Sequence, residues 1–401
     1  MSVEKKEPEI RFKRFSGEWK QHNLGELIDI RSAARVHKEQ WTETGVPFFR
    51  TSDVVSIYKG QENAKAFISY DVYKELTGKI GKVSSGDLLV TGGGSIGIPF
   101  LVPNDNPLYF KDADLLWFKN DQKFDGYFLY TFLFSETFKK YIKSISHIGT
   151  IAHYTIEQAK STPINNCERA EQTAIGNTFQ KLDNLIKQHQ QKHDKLSNIK
   201  KAMLNKMFPK QGETIPEIRF KGFSGEWEEK ELGSIAQLTM GQSPSGENYT
   251  NNPNDFILVQ GNADLKNGLV VPRVWTSEAT KKAVKGALIF SVRAPVGEVG
   301  KTNYDVVLGR GVAAVYGNEF IYQQLQKLKS DNYWHKVSAG STFDAISSTE
   351  LASTLIWISS ESEQEKIGNY FQKLDALINQ HQQQITKLNN IKQACLSKMF
   401  V

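Results

Sequence analysis

Two short motifs offer places where this chain could do chemistry. Gly93–Gly97 reads Gly-Gly-Ser-Ile-Gly, the spacing of a serine nucleophile elbow, which needs a sharp turn from a strand into a helix. The next residues are Ile-Pro-Phe-Leu-Val, so we predict a glycine loop between two strands. Gly300-Lys-Thr ends like a phosphate-binding loop, but Pro295 stands where the first glycine belongs. Neither motif predicts an active site.

Three histidines at seam positions of the repeated helical segments, His189, His193 and His381, could suggest a metal site. They lack carboxylate or cysteine partners at ligand spacing, and protein metal sites draw on such sets. We interpret them as polar breaks in an apolar seam and predict no metal. The chain also lacks the Asn/Asp-Pro-Pro-Tyr/Phe motif of an amino-methyltransferase and the glycine fingerprint of a dinucleotide site. We therefore expect no catalytic residues.

The composition is that of folded protein. The chain has 401 residues, of which 39% are hydrophobic and 23% charged, which predicts two or three domains. Its two cysteines make no disulfide framework, and we find neither a long apolar run nor a signal peptide. We expect a cytoplasmic protein. The net charge of +6 hints at an anionic partner, but the excess lies mainly in 168–208, while 20–167 and 228–360 are near neutral.

Internal repeats organise the chain. Pro8–Trp19 and Pro216–Trp227 differ only at Arg14 against Gly222, an offset of 208. Gln172–Phe208 recurs as Gln364–Phe400, an offset of 192. The chain is therefore a duplicated frame around two inserts of different length and sequence.

The second repeat predicts two long helices. Apolar residues step by four and three along each copy, which is typical of a coiled-coil seam. The seam residues are Ile175, Phe179, Leu182, Ile186, Leu196, Ile367, Phe371, Leu374, Ile378, Ile385 and Leu388. Ser360 and Glu363 have capping-box spacing before the second helix, and Pro209 follows the first. We predict an antiparallel, intramolecular pair with pseudo-twofold symmetry; pairing with helices of another chain is the alternative.

Each insert resembles a compact domain with short strands. Apolar, β-rich runs occur at Asp87–Thr91, Pro99–Val102, Phe256–Gln260, Ala287–Val292 and Asp305–Val307, and helical stretches at Tyr127–Ser144 and Phe320–Lys336. We predict an α/β (α+β) fold with two globular domains separated by the helices. The predicted segments are 1–19, 20–167, 168–208, 209–227, 228–360 and 361–401.

These repeats carry a resemblance that covers essentially the whole chain. The duplicated helix around Ile175–Ile186 and Ile367–Ile378, the copied Pro8–Trp19 element, Ser341-Thr-Phe and Ala287–Gly297 make the chain similar to the specificity subunit of type I restriction-modification enzymes. In place of Ser-Thr-Phe, the first copy has Gly149–Tyr154. The resemblance implies that each insert is a target recognition domain that reads one half of a bipartite, asymmetric DNA sequence.

The resemblance also implies partners. The helices would space the two domains and dock two methyltransferase subunits, which restriction/translocase subunits then join. The chain itself would catalyse nothing and bind no cofactor, and S-adenosylmethionine, ATP and Mg²⁺ would belong to the partner subunits. We expect no membrane association.

The chemistry of DNA recognition selects candidate contacts. Arg, Asn and Gln read base edges, while Ser, Thr, Lys and backbone amides bind phosphates. The first-insert candidates are Arg35, Arg50, Thr51, Ser52, Gly93, Gly94, Ser95, Thr150, His153 and Tyr154. The second-insert candidates are Gln242, Ser243, Gln260, Asn262, Arg293, Arg310, Ser341, Thr342 and Phe343.

Two other functions stay open from the sequence. One is a coiled-coil adaptor or scaffold whose inserts bind other ligands, with no role in DNA specificity. The other is a hydrolase that uses Ser95. The near-neutral inserts predict weak, salt-dependent DNA binding by the isolated chain and tighter binding with methyltransferase partners.

Overall fold

The computed structural model describes residues 7–145, 153–338 and 345–401. The chain forms two compact units. The first combines the chain up to Gln188 with Gln384–Val401, and the second is His189–Gln383. Within the described ranges, no helix is long and apolar enough to cross a membrane.

The first unit is built from short strands and helices. Its strands are β1 (Lys20–Asn23), β2 (Asp29–Arg31), β3 (Trp41–Thr42), β4 (Val46–Phe49), β5 (Phe67–Ile68), β6 (Leu88–Thr91), β7 (Pro99–Leu101), β8 (Tyr109–Phe110), β9 (Leu115–Lys119) and β10 (Pro163–Asn166). Its short helices are α1 (Leu24–Leu27), α2 (Thr51–Lys59), α3 (Tyr70–Ile80), α4 (Gly126–Phe132), α5 (Glu136–Ile145) and α6 (Ile156–Lys160). The strand orders are β2-β9-β6-β7, β3-β5-β4-β8 and the pair β1-β10.

The central strands of this unit are buried on both faces. In β6, Leu88 and Val90 pack into one cluster with helices α4 and α5, and Leu89 packs into another with Trp117. Alternate residues of a strand point to opposite faces, so a strand covered on both sides is a continuous apolar run. This accounts for the sequence of Leu88–Val90.

The second unit follows the same plan. Its strands are β11 (Glu228–Glu231), β12 (Gln237–Met240), β13 (Tyr249–Thr250), β14 (Phe256–Val259), β15 (Leu265–Lys266), β16 (Leu269–Val270), β17 (Val274–Thr276), β18 (Lys282–Ala283), β19 (Leu288–Ser291), β20 (Val299–Lys301), β21 (Val306–Leu308), β22 (Val312–Tyr316) and β23 (Leu355–Ile358). Its short helices are α8 (Leu232–Ile235), α9 (Glu319–Ser330), α10 (Tyr333–Ser338) and α11 (Ser348–Ala352). The strand orders are β12-β22-β19-β20-β16-β15, β13-β17-β14-β21-β18 and the pair β11-β23.

Most strand pairs are antiparallel, and β4–β8, β14–β21 and β16–β20 are parallel. The predicted combination of helix and sheet is confirmed, in its α+β form. The predicted strands lie within a residue or two of β6, β7, β14, β19 and β21. The helical stretch predicted at Tyr127–Ser144 is divided into α4 and α5, and the stretch at Phe320–Lys336 breaks before α10, where Asn332 has a φ of 59°.

Two long helices connect these elements, α7 (Arg169–Lys206) and α12 (Glu361–Lys398), of 38 residues each. Each is divided between the two units near its middle. The residues of the predicted seam are all at least partly covered: Ile175, Phe179, Ile367, Phe371, Leu374 and Ile385 are buried, and Leu182, Ile186, Leu196, Ile378 and Leu388 are partly buried.

Side-chain contacts show that the two helices run antiparallel in each unit. In the first unit, Phe179 packs against Phe400 with their ring centroids 6.1 Å apart, and Lys392 Nζ lies 2.5 Å from a carboxylate oxygen of Asp183. In the second unit, Phe208 packs against Phe371 at 6.2 Å, and Lys200 Nζ lies 2.6 Å from Asp375. Lys200 and Lys392 are equivalent in the repeat, as are Asp183 and Asp375. The duplication therefore repeats contacts as well as sequence.

The copied Pro8–Trp19 element anchors the start of each long helix. Arg11 Nε and Nη2 donate to the two carboxylate oxygens of Glu171 at 2.7 and 2.8 Å, and Arg219 donates to Glu363 at 2.6 and 2.8 Å. Both glutamates are buried. The capping box predicted for Glu363 is therefore wrong, because its carboxylate is held by Arg219 and is not free to return to Ser360.

Candidate nucleic-acid interface

The glycine loop of the first unit connects two antiparallel strands, β6 and β7. Gly97 N donates to Thr91 O at 2.7 Å, and Gly94 and Ser95 at the tip are exposed. A nucleophile elbow needs a helix after the serine, and here a strand follows. The loop therefore lacks the strand-turn-helix geometry of a nucleophile elbow, and in the described ranges no hydrogen bond joins the Ser95 hydroxyl to a histidine or carboxylate.

The second sequence motif also lies in a sheet. Lys301 ends β20, and its ammonium group pairs with Glu319. A phosphate-binding loop opens a helix, whereas Thr302 here bonds to Tyr304 in a turn. Among residues 7–145, 153–338 and 345–401, no group of three or more His, Cys, Asp or Glu is arranged to hold a metal ion.

In the first insert, 20–167, which we call the first domain, a network of backbone hydrogen bonds fixes the edge beside the glycine loop. Gly92 N donates to Asp114 O at 2.8 Å, and Gly92 O accepts from Tyr154 N at 2.8 Å. Ala113 N donates to the Ser32 hydroxyl at 3.0 Å. We call Lys111–Asp114 the acidic turn, because it reads Lys-Asp-Ala-Asp.

The second insert, 228–360, which we call the second domain, has the same backbone network, but the residues that form it have different side chains. Val292 N donates to Gly311 O at 2.9 Å, and Val292 O accepts from Ile346 N at 2.8 Å. Arg310 N donates to the Ser243 hydroxyl at 3.1 Å. We call Leu308–Gly311 the arginine turn, because it reads Leu-Gly-Arg-Gly. The two networks make the two turns equivalent.

Further predicted residues of the second domain gather at the arginine turn. Gln242 N donates to Leu308 O at 2.8 Å. A Cβ on Gly311 would overlap the Gln260 carbonyl oxygen, so glycine is required for this close approach. Arg293 lies directly after Val292 and forms a β-bridge with Ala345.

The structure thus brings Gln242, Ser243, Gln260, Arg293 and Arg310 together. Asn262 follows nearby in the short helix Asn262–Asp264. Sequence reasoning missed Tyr249, whose hydroxyl accepts from Gln260 Nε2 at 3.0 Å. The β-rich run Tyr249–Thr250 was its only signal, because the contact depends on β13 and β14 pairing with opposite edges of β17.

The six arginines of the two inserts fall into two groups. Arg31 pairs with Asp29, Arg273 with Asp264, and Arg50 with Asp53. The other three, Arg35, Arg293 and Arg310, are exposed. Within the described ranges their guanidinium groups make no hydrogen bond or ion pair.

Arg50 is a structural residue, which corrects its place among the candidates. Its guanidinium donates to both carboxylate oxygens of Asp53, at 2.8 and 3.1 Å, and to the carbonyl of Ala64. The hydrogen bond to Asp53 raises the pKa of Arg50, although burial opposes this. These bonds hold the start of α2, where Thr51 also bonds to the acidic turn through the Asp114 carbonyl at 3.3 Å.

Tyr154 is also wrong as a contact. Its ring is 1% exposed and its hydroxyl bonds to Thr162, and burial raises the pKa of Tyr154. It is a core residue that cannot reach DNA. Gly93 is likewise buried, whereas Ser52 and His153 are exposed. The candidates Thr150, Ser341, Thr342 and Phe343 lie outside the described residues.

Both turns lie at the end of a strand that faces away from the long helices. β22 runs from the arginine turn to Tyr316, and Asn318 then donates to Gln364 of α12 at 3.0 Å. In the first domain, Asp125 N, beyond β9, donates to Gln172 of α7 at 3.0 Å. Five residues of strand span about 16 Å. Each domain therefore has one end attached to helix and an opposite end exposed for a ligand.

Residues 16–198 and 224–390 match the family model described as the type I restriction modification DNA specificity domain. The chain belongs to the type I restriction-modification specificity family. It is 28% identical over 219 residues to a putative type I restriction enzyme specificity subunit of Methanocaldococcus jannaschii, covering 52% of this chain and 51% of that protein. It is 26% identical over 164 residues to a putative type I specificity subunit of Haemophilus influenzae, covering 40% of each. The alignments thus span about half or less of these relatives.

Solved structures of type I systems share the fold of this family member over nearly its full length. The type I restriction-modification S subunit of M. genitalium has a TM-score of 0.64 at 18% identity, covering 98% of this chain and 99% of that one. A chain from a type I R-M system, solved to explain complex assembly and conformational transition, has a TM-score of 0.53 at 22% identity, covering 94% and 96%. At these identities the likeness is one of fold.

Proposed function

We propose that this specificity-family chain recognises a bipartite, asymmetric DNA sequence, with one half read by each insert domain. The observation that carries the proposal is a pair of equivalent exposed turns with different side chains. A shared backbone network supports one docking geometry, and different side chains select different bases. Two unlike domains imply two unlike half-sites.

The second part of the proposal is that the long helices bind the other subunits of the complex. They would dock two methyltransferase subunits, and restriction/translocase subunits would join through these. Catalysis would belong to the partners, which would bind S-adenosylmethionine, ATP and Mg²⁺. The absence of hydrolase geometry at Ser95 supports a recognition role for this chain.

Charge sets the expected affinity. Arg35, Arg293 and Arg310 are few positive groups for a DNA surface, and each neutralised phosphate contributes to the salt dependence of binding. We expect weak binding by the isolated chain that falls steeply between 50 and 200 mM salt, about tenfold or more, and tighter binding with a methyltransferase subunit. Fluorescence anisotropy at two salt concentrations measures both. Equal affinity with and without the partner would contradict this expectation.

Mapping of methylated adenines tests the function itself. Cells that express this chain with a cognate methyltransferase subunit are compared with cells that lack the chain. A new bipartite, asymmetric motif that depends on the chain is the expected result. Replacing 20–167 with another insert should then change one half of the motif and leave the other. If no motif depends on the chain, the adaptor function takes the place of DNA recognition.

A further inference from the structure

We propose that the equivalent turns carry opposite base chemistry. Arg293 and Arg310 form a guanine-reading pair in the second domain. The acidic turn of the first domain reads a base that offers an amino group, cytosine or adenine. This inference rests on the proposed function and assigns its specificity to named side chains.

The hydrogen-bond networks establish which positions correspond. Gly92 and Val292 each donate to the last residue of their turn, and each accepts from a residue two positions before a short helix, Tyr154 before α6 or Ile346 before α11. The next residue is Gly93 in one domain and Arg293 in the other. Their β-bridge partners are His153 and Ala345. The second domain thus has an arginine where the first has a glycine.

The turns themselves differ in the same direction. Ala113 and Arg310 both donate their backbone N–H to a serine hydroxyl, that of Ser32 or Ser243. The arginine turn contains no acidic residue, whereas the acidic turn has carboxylates at Asp112 and Asp114. The turn as a whole is therefore cationic in the second domain, whereas in the first domain two carboxylates outnumber one lysine, Lys111.

The arginine pair combines a fixed backbone with free side chains. Val292 N donates to Gly311 O across two antiparallel chain segments. Arg293 follows Val292 and Arg310 precedes Gly311, so the two arginines are at neighbouring backbone positions. Both are exposed and unpaired within the described ranges. Guanine presents two acceptors, O6 and N7, in the major groove, and the arginine fork bonds both at once. Gly309 and Gly311 add no side chains that would obstruct this approach.

In the first domain a carboxylate occupies the corresponding space. A Cβ on Gly93 would lie 3.3 Å from Asp114 Oδ1 and 3.9 Å from His153 Nδ1. Lys111 pairs with the other oxygen, Oδ2, which leaves Oδ1 as an acceptor beside exposed His153. Carboxylates accept from the N4 amino group of cytosine and would repel a phosphate. A base edge is therefore a better ligand for this turn than the DNA backbone.

Methylation mapping of variants in the intact complex tests the assignment. Arg293→Gln and Arg310→Gln are made singly and together, and Arg273→Gln is the matched control, because Arg273 is in the same domain and pairs with Asp264. We expect the Arg310 variant and the double variant to lower methylation of the original motif by about 5- to 150-fold and to relax one or two guanine positions in one half. The other half and the control should be unchanged.

Asp114→Asn provides the reciprocal test, with Asp105→Asn as its control in the same domain. The expected result is relaxed selection of cytosine or adenine in the half that the arginine variants leave intact. An unchanged consensus in all arginine variants overturns the assignment, as does a change in the same half from Asp114→Asn and Arg310→Gln. Retention of the other half-motif shows in each case that the variant is folded. If the unsubstituted protein itself gives no chain-dependent methylation motif, the proposed function is overturned instead.

Discussion

Removing Arg219 should destabilise the second unit more than any surface change. Its guanidinium makes two bonds to the carboxylate of Glu363, whose side chain is 0% exposed, and further bonds to the carbonyls of Ser224 and Gly225. Arg219→Met keeps the apolar stem but leaves a buried carboxylate without its counter-ion. Breaking such a buried pair from one side costs about 3–5 kcal/mol, a large part of the stability of an ordinary domain.

Guanidinium unfolding followed by tryptophan fluorescence measures this loss. The matched control is Glu217→Gln, whose carboxylate pairs with lysines at 43% exposure, where solvent screens the pair and its loss changes stability little. The double variant Arg219→Met with Glu363→Gln should be more stable than Arg219→Met alone, because no buried charge is left unpaired. A loss for Arg219→Met no larger than that of the control would refute the reasoning.

Three further predictions follow from single contacts. Burial and nearby His189 lower the pKa of His381, so the unfolded chain binds a proton more readily than the folded chain. The stability of the folded state should therefore fall as pH drops through about 6.5. In thermal unfolding, a His381→Gln variant should lose less stability than the unsubstituted protein between pH 8 and pH 5. Gly311→Ala should overlap the Gln260 carbonyl oxygen and destabilise by roughly 1–3 kcal/mol, with recognition of one half-motif lost in methylation mapping and the other kept. Tyr154→Phe should cost about 1 kcal/mol in denaturant unfolding and leave the methylated motif unchanged, in contrast to a residue that touches DNA.

Local patterns accounted for much of the fold. The seam of the long helices and the strands of the inserts follow from periodicity, and the repeats identified which segments had to fold alike. The ion pair of Arg11 with Glu171 joins residues far apart in the chain, and no local signal predicts it. The equivalent pair of the second unit, Arg219 with Glu363, explains the error at Glu363, since a capping box and a buried ion pair can both place a glutamate at this position.

For the candidate site, the sequence indicated which residue types could bind DNA, but not which of those residues the fold itself uses. Arg293 and Arg310 were chosen from the sequence because they flank glycine-rich loops, and the structure places both at the surface; their contact with DNA stays a prediction. Arg50 and Tyr154 were misjudged because a sequence does not show which polar groups are already bonded within the fold. The correspondence of the two turns was also hidden, because it depends on backbone bonds and survives in sequences that no longer resemble each other.

The division of the long helices between the units has a consequence for synthesis on the ribosome. The core of the first unit contains Trp19, Phe128 and Phe179 together with Leu396, Met399 and Phe400. Domains generally fold as their residues emerge during translation, yet this core lacks several of its members until residue 400 has been made. The second unit, which ends at Gln383, has its complete sequence earlier. The first recognition domain to be translated is therefore the last to be completed, and until then part of its apolar core lacks its packing partners.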